Sequence, residues 1–500
     1  IVETIVVNRS DNGSFEHNSF YDDEYISFLL DIYDAGFEMD LQKFFEYMKS
    51  GNTGKLIIDP NIGLYLPFSG KSLNTNDGIS PTFTRTGAAN YIDSGTGLVT
   101  SAAAATPRFE SGKFGDAFLV ERELTNLLDN TEAFDNANWA KSNITVTANQ
   151  ALAPDGTKTA DLLTATAATG DISFTTATAI GTNDGCFSVW LKKATSADET
   201  VDVTIEIQDD SPAILAAITP DVGAEWVRYD VQFSSVGANA NNWVAVIQID
   251  TNGKEIYAWG AQLEPKYYPT SYIKDAGTRG ADKGRYAISS DNFNNLTYSF
   301  SFWLKTPYDH DQIDSDRHLI LIYDEANTQA VFDMDIESAS SGFTFNLYDA
   351  GGAAAVSDTI ASTLLTKDTW HYIVVVVDIN SAGILRLYID GTLIGDINYP
   401  PFTPWETPDE LIIGAPQDGV GGQELDGLID DFIIETWTLS SSRISESATI
   451  ISDRYNHTYG MGVKKNIYSS VYLNNFEWNP DRRNGVPRFS KRLEFINSST

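Results

Sequence analysis

The run Asp333-Met334-Asp335-Ile336-Glu337 sets three carboxylates at alternate positions, the residue type used for acid–base or nucleophilic chemistry on sugars. Strand periodicity puts all three on one face and Phe332, Met334 and Ile336 on the other. Residues four apart on a regular strand are separated by about 13 Å, whereas a retaining glycosidase needs its carboxyls about 5 Å apart. Without a bulge the run is an acidic, solvated strand face and not a catalytic pair. Asp309, Asp311, Asp314 and Asp316 form a second cluster. Its chemistry is that of a hard cation such as Ca2+, which takes six to eight oxygens, although neither the glycine nor the terminal glutamate of an EF-hand is in place. A third group is aromatic: Tyr399, Phe402 and Trp405 in a proline-rich loop, and Trp243 beside Asn241 and Asn242. A flat ring next to amides can stack a sugar; the alternative is that such a loop caps a sandwich edge. There is no Gly-x-Ser-x-Gly, no phosphate loop and no zinc-type His/Cys cluster. No enzyme is expected.

The elements that would carry these residues are strands. Hydrophobic residues make up 42% of the 500 positions and aromatics 12%, enough for real cores and typical of pleated faces. Short apolar runs alternate with Gly, Asn, Asp and Thr from Asp59 onward, the pattern of an all-β sandwich. No stretch of about 18 apolar residues exists to span a membrane. The net charge of −36 repels nucleic acid and anionic membranes. The single cysteine, Cys186, excludes an internal disulfide. Before the strands, Asp40 can cap a helix with Leu41, Phe44, Phe45 and Met48 on one face and Gly51 at its end.

The hexapeptide Phe187-Ser188-Val189-Trp190-Leu191-Lys192 returns as Phe300-Ser301-Phe302-Trp303-Leu304-Lys305. In both, Phe, the next apolar residue and Leu share one face, with Ser, Trp and Lys on the other. Each copy is followed by a strand opened by tryptophan, at Trp226 and at Trp370. Two units therefore share a strand plan. In the second, Leu385 to Ile394 reads as strand, Asp390-Gly391 turn, strand. Ile444, Ala448, Ile451 and Tyr455 then fall at helical spacing.

Two resemblances follow from these residues. Trp370, Tyr388-Ile389-Asp390-Gly391, Ile412-Ile413-Gly414, Gly427-Leu428-Ile429-Asp430-Asp431-Phe432 and Thr438-Leu439-Ser440 resemble a laminin-G-like, concanavalin A-type jelly roll over about residues 290 to 455. Phe83-Thr84-Arg85, Tyr91-Ile92-Asp93, Thr106-Pro107-Arg108-Phe109, Leu119-Val120-Glu121, Thr125-Asn126-Leu127-Leu128, Ala258 to Glu264 and Pro269 to Ile273 look like a carbohydrate-binding-like module of phage structural and tail proteins. The resemblance implies a virion component; it names no ligand. Laminarinase-type glucanases share the jelly-roll fold and use a Glu-x-Asp-x-Glu strand, but here its first position is Asp333.

The sequence reading is thus an all-β protein of two consecutive jelly-roll sandwiches, with a short helical N-terminal segment and an extended C-terminal arm. Its parts are residues 1–58, a β-rich connection at 59–122, a first sandwich at 123–285, the laminin-G-like sandwich at 286–460 and a basic arm at 461–500. Lys464, Lys465, Arg482, Arg483, Arg488 and Trp478 equip the arm for assembly on an acidic neighbour. The function expected is a non-enzymatic structural component on the surface of a phage particle, as a tail fibre or capsid decoration. Its expected partners are other virion proteins, further copies of itself and host surface polysaccharide, not nucleic acid. The alternatives are a host-polysaccharide adhesin and a depolymerase built on the acidic strand.

Overall fold

The computed structural model describes residues 62–448 apart from short internal stretches, together with the backbone of short strands at Val2–Ile5, Arg482–Arg483, Val486–Pro487 and Leu493–Ile496. The helix expected at 40–51 lies outside the described residues, as do Lys464, Lys465, Trp478 and Arg488 of the arm and the side chains of Arg482 and Arg483.

The described chain is two antiparallel β-sandwiches. In one, a five-stranded sheet packs on a six-stranded one. The other pairs an eight-stranded sheet with a seven-stranded one. Each has its own apolar core: Phe187, Val189, Leu191, Trp243 and Ile247 lie in the smaller, and Phe300, Phe302, Leu304, Phe332 and Phe432 in the larger.

The order along the chain is nested, not consecutive. Ile62–Leu66, Arg108–Ser111 and Asp116–Val120 join the eight-stranded sheet of the larger sandwich, and Thr82–Thr84 joins its seven-stranded sheet. The chain then leaves to build the smaller sandwich and returns at Lys283–Ala287. Gly427–Glu435 makes this possible. It pairs with Thr297–Lys305 on one side, and with both Asp116–Val120 and Ile62–Leu66 on the other. Local patterning carries no information about such partners, so chain order alone suggested two units in succession. The outgoing and returning segments pair with each other, Leu124 with Arg279 and Thr125 with Thr278.

The repeat read in the sequence extends to register. Leu191 pairs with Val227, the residue after Trp226, and Leu304 pairs with His371, the residue after Trp370. On the other side of each hexapeptide strand the ladder is interrupted at the same place, between Ser188 and Trp190 and between Ser301 and Trp303. The facing strand carries the extra residue of a bulge, with Gly260 at φ 66° in one unit and Asp431 at φ 52° in the other. As expected, both tryptophans point away from the main cores. Trp190 packs with Trp259 and Tyr272, and Trp303 with Tyr372, Leu439 and Ile444. Asp390 and Gly391 both have positive φ, 51° and 81°, which gives the hairpin turn its required twist. Ile444 is fully buried in a short helical stretch, with its N–H donating to Ser440 O at 3.0 Å.

Candidate functional site

The joint between the sandwiches is built from buried charge. Arg85 and Arg108 both bind Asp282, and Arg108 also reaches Glu121 at 2.6 Å. Arg279 lies 3.3 Å from the same Glu121. Beside them Asp426 accepts from Lys266 Nζ and Tyr268 Oη, each at 2.9 Å, and from the Arg122 backbone N–H at 2.9 Å. Arg122 further pairs with Asp314 at 2.8 Å, and Arg317 binds Asp314 as well. Burial disfavours the charge on Glu121, but Arg279, Arg108 and the Ser271 hydrogen bonds outweigh it and bring its pKa down to about 2. Lys266 goes the other way: burial outweighs Asp426, whose charge is shared with arginines, and lowers it to about 8.

Several residues of the string between positions 80 and 285 serve this joint. Arg85, Arg108 and Glu121 are ion-lattice members. Asn126 is fully buried; its amide donates to Ala261 O and Ile273 O, and its carbonyl accepts from Leu128 and Leu263 N–H. Glu264 accepts from the N–H and hydroxyl of Thr270, and Gln262 from the Ile273 N–H. These residues clasp the 269–273 segment to the last strand of the smaller sandwich.

A cleft of about 210 Å³ opens beside this joint. The smaller sandwich contributes Trp190, Arg228 and Tyr272, and the larger contributes Glu110, Lys305 and Asp368. Tyr91 and Ile92 come from the hairpin of Ala89–Ile92 with Val99–Ala102. The Arg228 guanidinium carbon lies 4.4 Å from the centre of the Trp190 ring, a cation–π stack. Its Nη1 donates to Thr270 O at 2.6 Å and its Nη2 to Ser188 Oγ at 3.0 Å, while Nε is buried without a partner. Burial lowers its pKa below the usual arginine value. Burial also raises the Glu110 carboxyl, whose Oε1 accepts from the Ile92 N–H at 2.8 Å. The cleft is assembled from residues far apart in the sequence, from Tyr91 to Leu428. The Trp190 copy of the repeat was a visible signal, but its partners across the cleft are not neighbours in sequence.

The acidic strand alternates as expected, with Phe332, Met334 and Ile336 buried and the three acids half-buried. Its face is not simply solvated. His318, on the adjacent strand and in register with Asp335, sets its Nδ1 2.6 Å from Asp335 and 3.1 Å from Asp333. Glu337 accepts from Thr344 and Thr359 hydroxyls. Burial opposes charge on His318, yet the two carboxylates prevail and push its pKa up to about 10. Asp335 is raised by burial, against the His318 bond, to about 6. With two acids on one imidazole and the third tied to threonines, the strand presents no nucleophile and acid across a substrate.

The same trio can coordinate a metal ion, since its ligand atoms lie within 4.8 Å of one another. One nitrogen and two carboxylates suit a borderline transition metal better than Ca2+, which prefers oxygens alone. The 309–316 cluster does not converge. Asp309 accepts from the Lys367 N–H, Asp314 faces Arg122 and Arg317, Asp316 accepts from Ser338, and Asp311 is exposed. Its acids serve turns and ion pairs, so the expected Ca2+ loop is corrected to a structural one.

Replacing His318 with alanine leaves Asp333 and Asp335 half-buried and facing each other. The expected cost is about 2–3 kcal/mol. A histidine pKa raised from about 6.5 to about 10 gives stability that is complete below pH 6.5 and lost as pH rises through 10. Urea unfolding should therefore show a wide gap between wild type and His318→Ala near pH 6.5 and a narrow one above about pH 10. A gap independent of pH would rule out the clamp.

Of the expected sugar platforms, Trp243 is fully buried in the smaller core, edge-on to Phe233, and Gly185 lies where any added Cβ would strike its ring. It offers no face to a sugar, and this assignment is corrected. Tyr399, Phe402 and Trp405 are partly buried against the larger core. Trp405 Nε1 donates to the buried Asp324 at 2.9 Å, which also accepts from Thr407 and Asn327. The loop is pinned down as an edge cap.

Residues 280–445 match the family model of the Concanavalin A-like lectin/glucanases superfamily. This third of the chain is thus similar to a concanavalin A-like domain, and the strands added from residues 62–120 lie outside the match. No curated protein matches the chain. Similar solved structures include the botulinum neurotoxin serotype D binding domain (18% identity, 35% of this chain and 41% of that one, TM-score 0.27). Another is the binding domain of Paraclostridial Mosquitocidal Protein 1 (15% identity, 37% and 47%, TM-score 0.27). The chain spans less than half the length of either structure. With its acidic strand closed by His318 and by the Thr344 and Thr359 hydroxyls, this domain presents no catalytic carboxylate pair on that strand.

Proposed function

We propose that this protein is a glycan-binding attachment module, a host-polysaccharide adhesin that holds its ligand without cleaving it. The observation that carries the reading is the cleft beside the joint of the lectin-type sandwich, where aromatic side chains lie next to Arg228, Glu110 and Lys305. Apolar ring edges with a few convergent polar groups are what a small polar ligand needs. The volume, about 210 Å³, is below the roughly 300–1,000 Å³ of drug-sized pockets. It suits one sugar unit, such as a chain end. The ion lattice supports the same role, because a rigid joint keeps both walls in place before the ligand arrives.

The placement of this adhesin on a phage particle rests on the module-like string of residues 80 to 285, and the arm at 461–500 is the proposed anchor. Imaging of purified particles with a tagged chain tests the placement. Binding itself is tested on a glycan array with the full chain. At least one surface saccharide should bind and be released unchanged. Tyr91→Ala, at the half-buried rim, should weaken binding by about tenfold while unfolding stays near wild type. An array without any bound saccharide would refute the reading, and release of reducing sugar would refute its non-enzymatic part.

A further inference from the structure

The arginines of the joint each face a carboxylate: Arg85 and Arg108 face Asp282, Arg122 faces Asp314 and Asp426, Arg279 faces Glu121, and Arg317 faces Asp314. Arg228 differs. Its hydrogen bonds go to the neutral acceptors Thr270 O and Ser188 Oγ, and it makes no ion pair among the described residues. The acids that act on it most strongly, Glu264 and Asp230, form no ion pair with it and hold other donors. Glu264 is bound by Thr270, and Asp230 by Lys367 at 3.2 Å and by Gln232 at 3.0 Å. A guanidinium carries five donors, of which Arg228 uses one each on Nη1 and Nη2, so each of these nitrogens keeps a second hydrogen for a ligand. Lys305 lines the same cleft from the other sandwich and likewise forms no ion pair among the described residues. A chain of net charge −36 that pairs its other buried arginines with carboxylates thus leaves Arg228 and Lys305 on the walls of a cleft whose four acids are otherwise placed: Glu121 and Asp426 are held by the ion lattice, Glu110 accepts from the Ile92 N–H, and Asp368 is exposed.

We infer that the cleft takes a saccharide bearing a carboxylate, bound by Arg228 from one sandwich and Lys305 from the other. This rests on the glycan-binding reading above and adds the class of sugar. A carboxylate would meet the spare donors of a planar fork that is already oriented by its stack on Trp190, so little freedom is lost on binding. The acidic surface elsewhere works in favour of selectivity. It repels polyanions in general, so an acidic sugar is held only where a cation has no acid of its own. A carboxylate of this kind belongs either to a hexuronic acid or to a sialic acid, and the two are distinguished by the probes.

The test is titration calorimetry on the full chain. The probes are oligogalacturonate, its methyl ester, sialyllactose and lactose. One acidic sugar should bind, with its neutral counterpart at least about tenfold weaker. The acid whose neutral form loses more identifies the source. Arg228→Gln should bring acid and neutral form to similar affinity, and Lys305→Gln should narrow the same ratio. An Arg228 with only a structural role would weaken both forms alike and leave the ratio unchanged. If Arg228→Gln does not fold, Arg228→Lys and Lys305→Gln carry the test, since a point charge without the fork should still lose most of the preference. Equal binding of acid and neutral sugars by wild type overturns this inference and leaves the glycan-binding reading standing. Retention of the preference in the folded Arg228 and Lys305 variants also overturns it. No binding of any saccharide overturns the reading beneath it.

Discussion

Asp426→Ala is expected to destabilise the protein by about 5 kcal/mol, measured as a fall in the denaturant midpoint and a loosening of the two sandwiches. Asp426 is 1% exposed and gathers Lys266, Tyr268 and Arg122 around one carboxylate, with Arg122 Nε 3.1 Å away. Breaking a buried pair costs about 3–5 kcal/mol because it strands the partner charge, and here Lys266 is stranded while Arg122 is left with Asp314 alone. Total stabilities are about 5–15 kcal/mol, so the change removes a large share. Asp426→Asn keeps the shape and part of the hydrogen bonding, and should cost less. The same groups fix a pH response. Asp426 and Glu121 are both held below the usual carboxylate range, Glu121 at about 2. A depressed acid contributes stability that is present above its unfolded pKa, about 4.3 for glutamate, and is lost as pH falls through the folded value. Acid should therefore open the joint between about pH 4 and pH 2. Stability independent of pH in that window, or an Asp426→Ala variant as stable as wild type, would show that the lattice is not holding the sandwiches.

Trp190→Ala and Trp303→Ala should each cost about 3–5 kcal/mol, the usual cost of truncating a buried tryptophan. They are 6% and 4% exposed and sit at equivalent places in the two units. Their consequences should differ. Trp303 contacts Phe114 at 5.8 Å and Tyr372 at 5.3 Å, in the cluster that seats Leu439 and Ile444. Its loss should raise hydrogen exchange over residues 437–445. Trp190 contacts Trp259 and Tyr272 and lies under Arg228. Its loss should disturb the cleft and abolish saccharide binding at temperatures where the chain is still folded. Two variants with wild-type unfolding would show that neither ring is packed as described.

What was legible in the residues follows from how each feature is encoded. The hexapeptide repeat, the Trp-opened partner strands and the faces they present were all readable. They depend on period-2 alternation along a few consecutive positions, and the structure places Phe300, Phe302 and Leu304 inward with Trp303 outward. The Asp390-Gly391 turn was readable because positive φ is demanded of just those residue types. Trp243 misled because a tryptophan flanked by asparagines looks exposed, while the strand alternation of Asn239–Ile249 turns its ring inward. The acidic strand was recognised as non-catalytic, but His318, which neutralises it, lies fifteen positions from Asp333 and met it only through strand pairing.

The sequence by itself determined the all-β class and the two related units, because each is written in local periodicity and short spacings; the concanavalin A-like character of the second was a resemblance carried by its motifs. Only the tertiary structure decided that one sandwich is inserted in the other, that Arg122 meets Asp426 across 304 positions and Arg108 meets Asp282 across 174, and that Arg228 is left without a carboxylate. The physical reason is that charges and strand edges have no preferred partner along the chain. Any arginine can pair with any acid, and burial in one particular packing selects which pairs form and which cation remains open to a ligand.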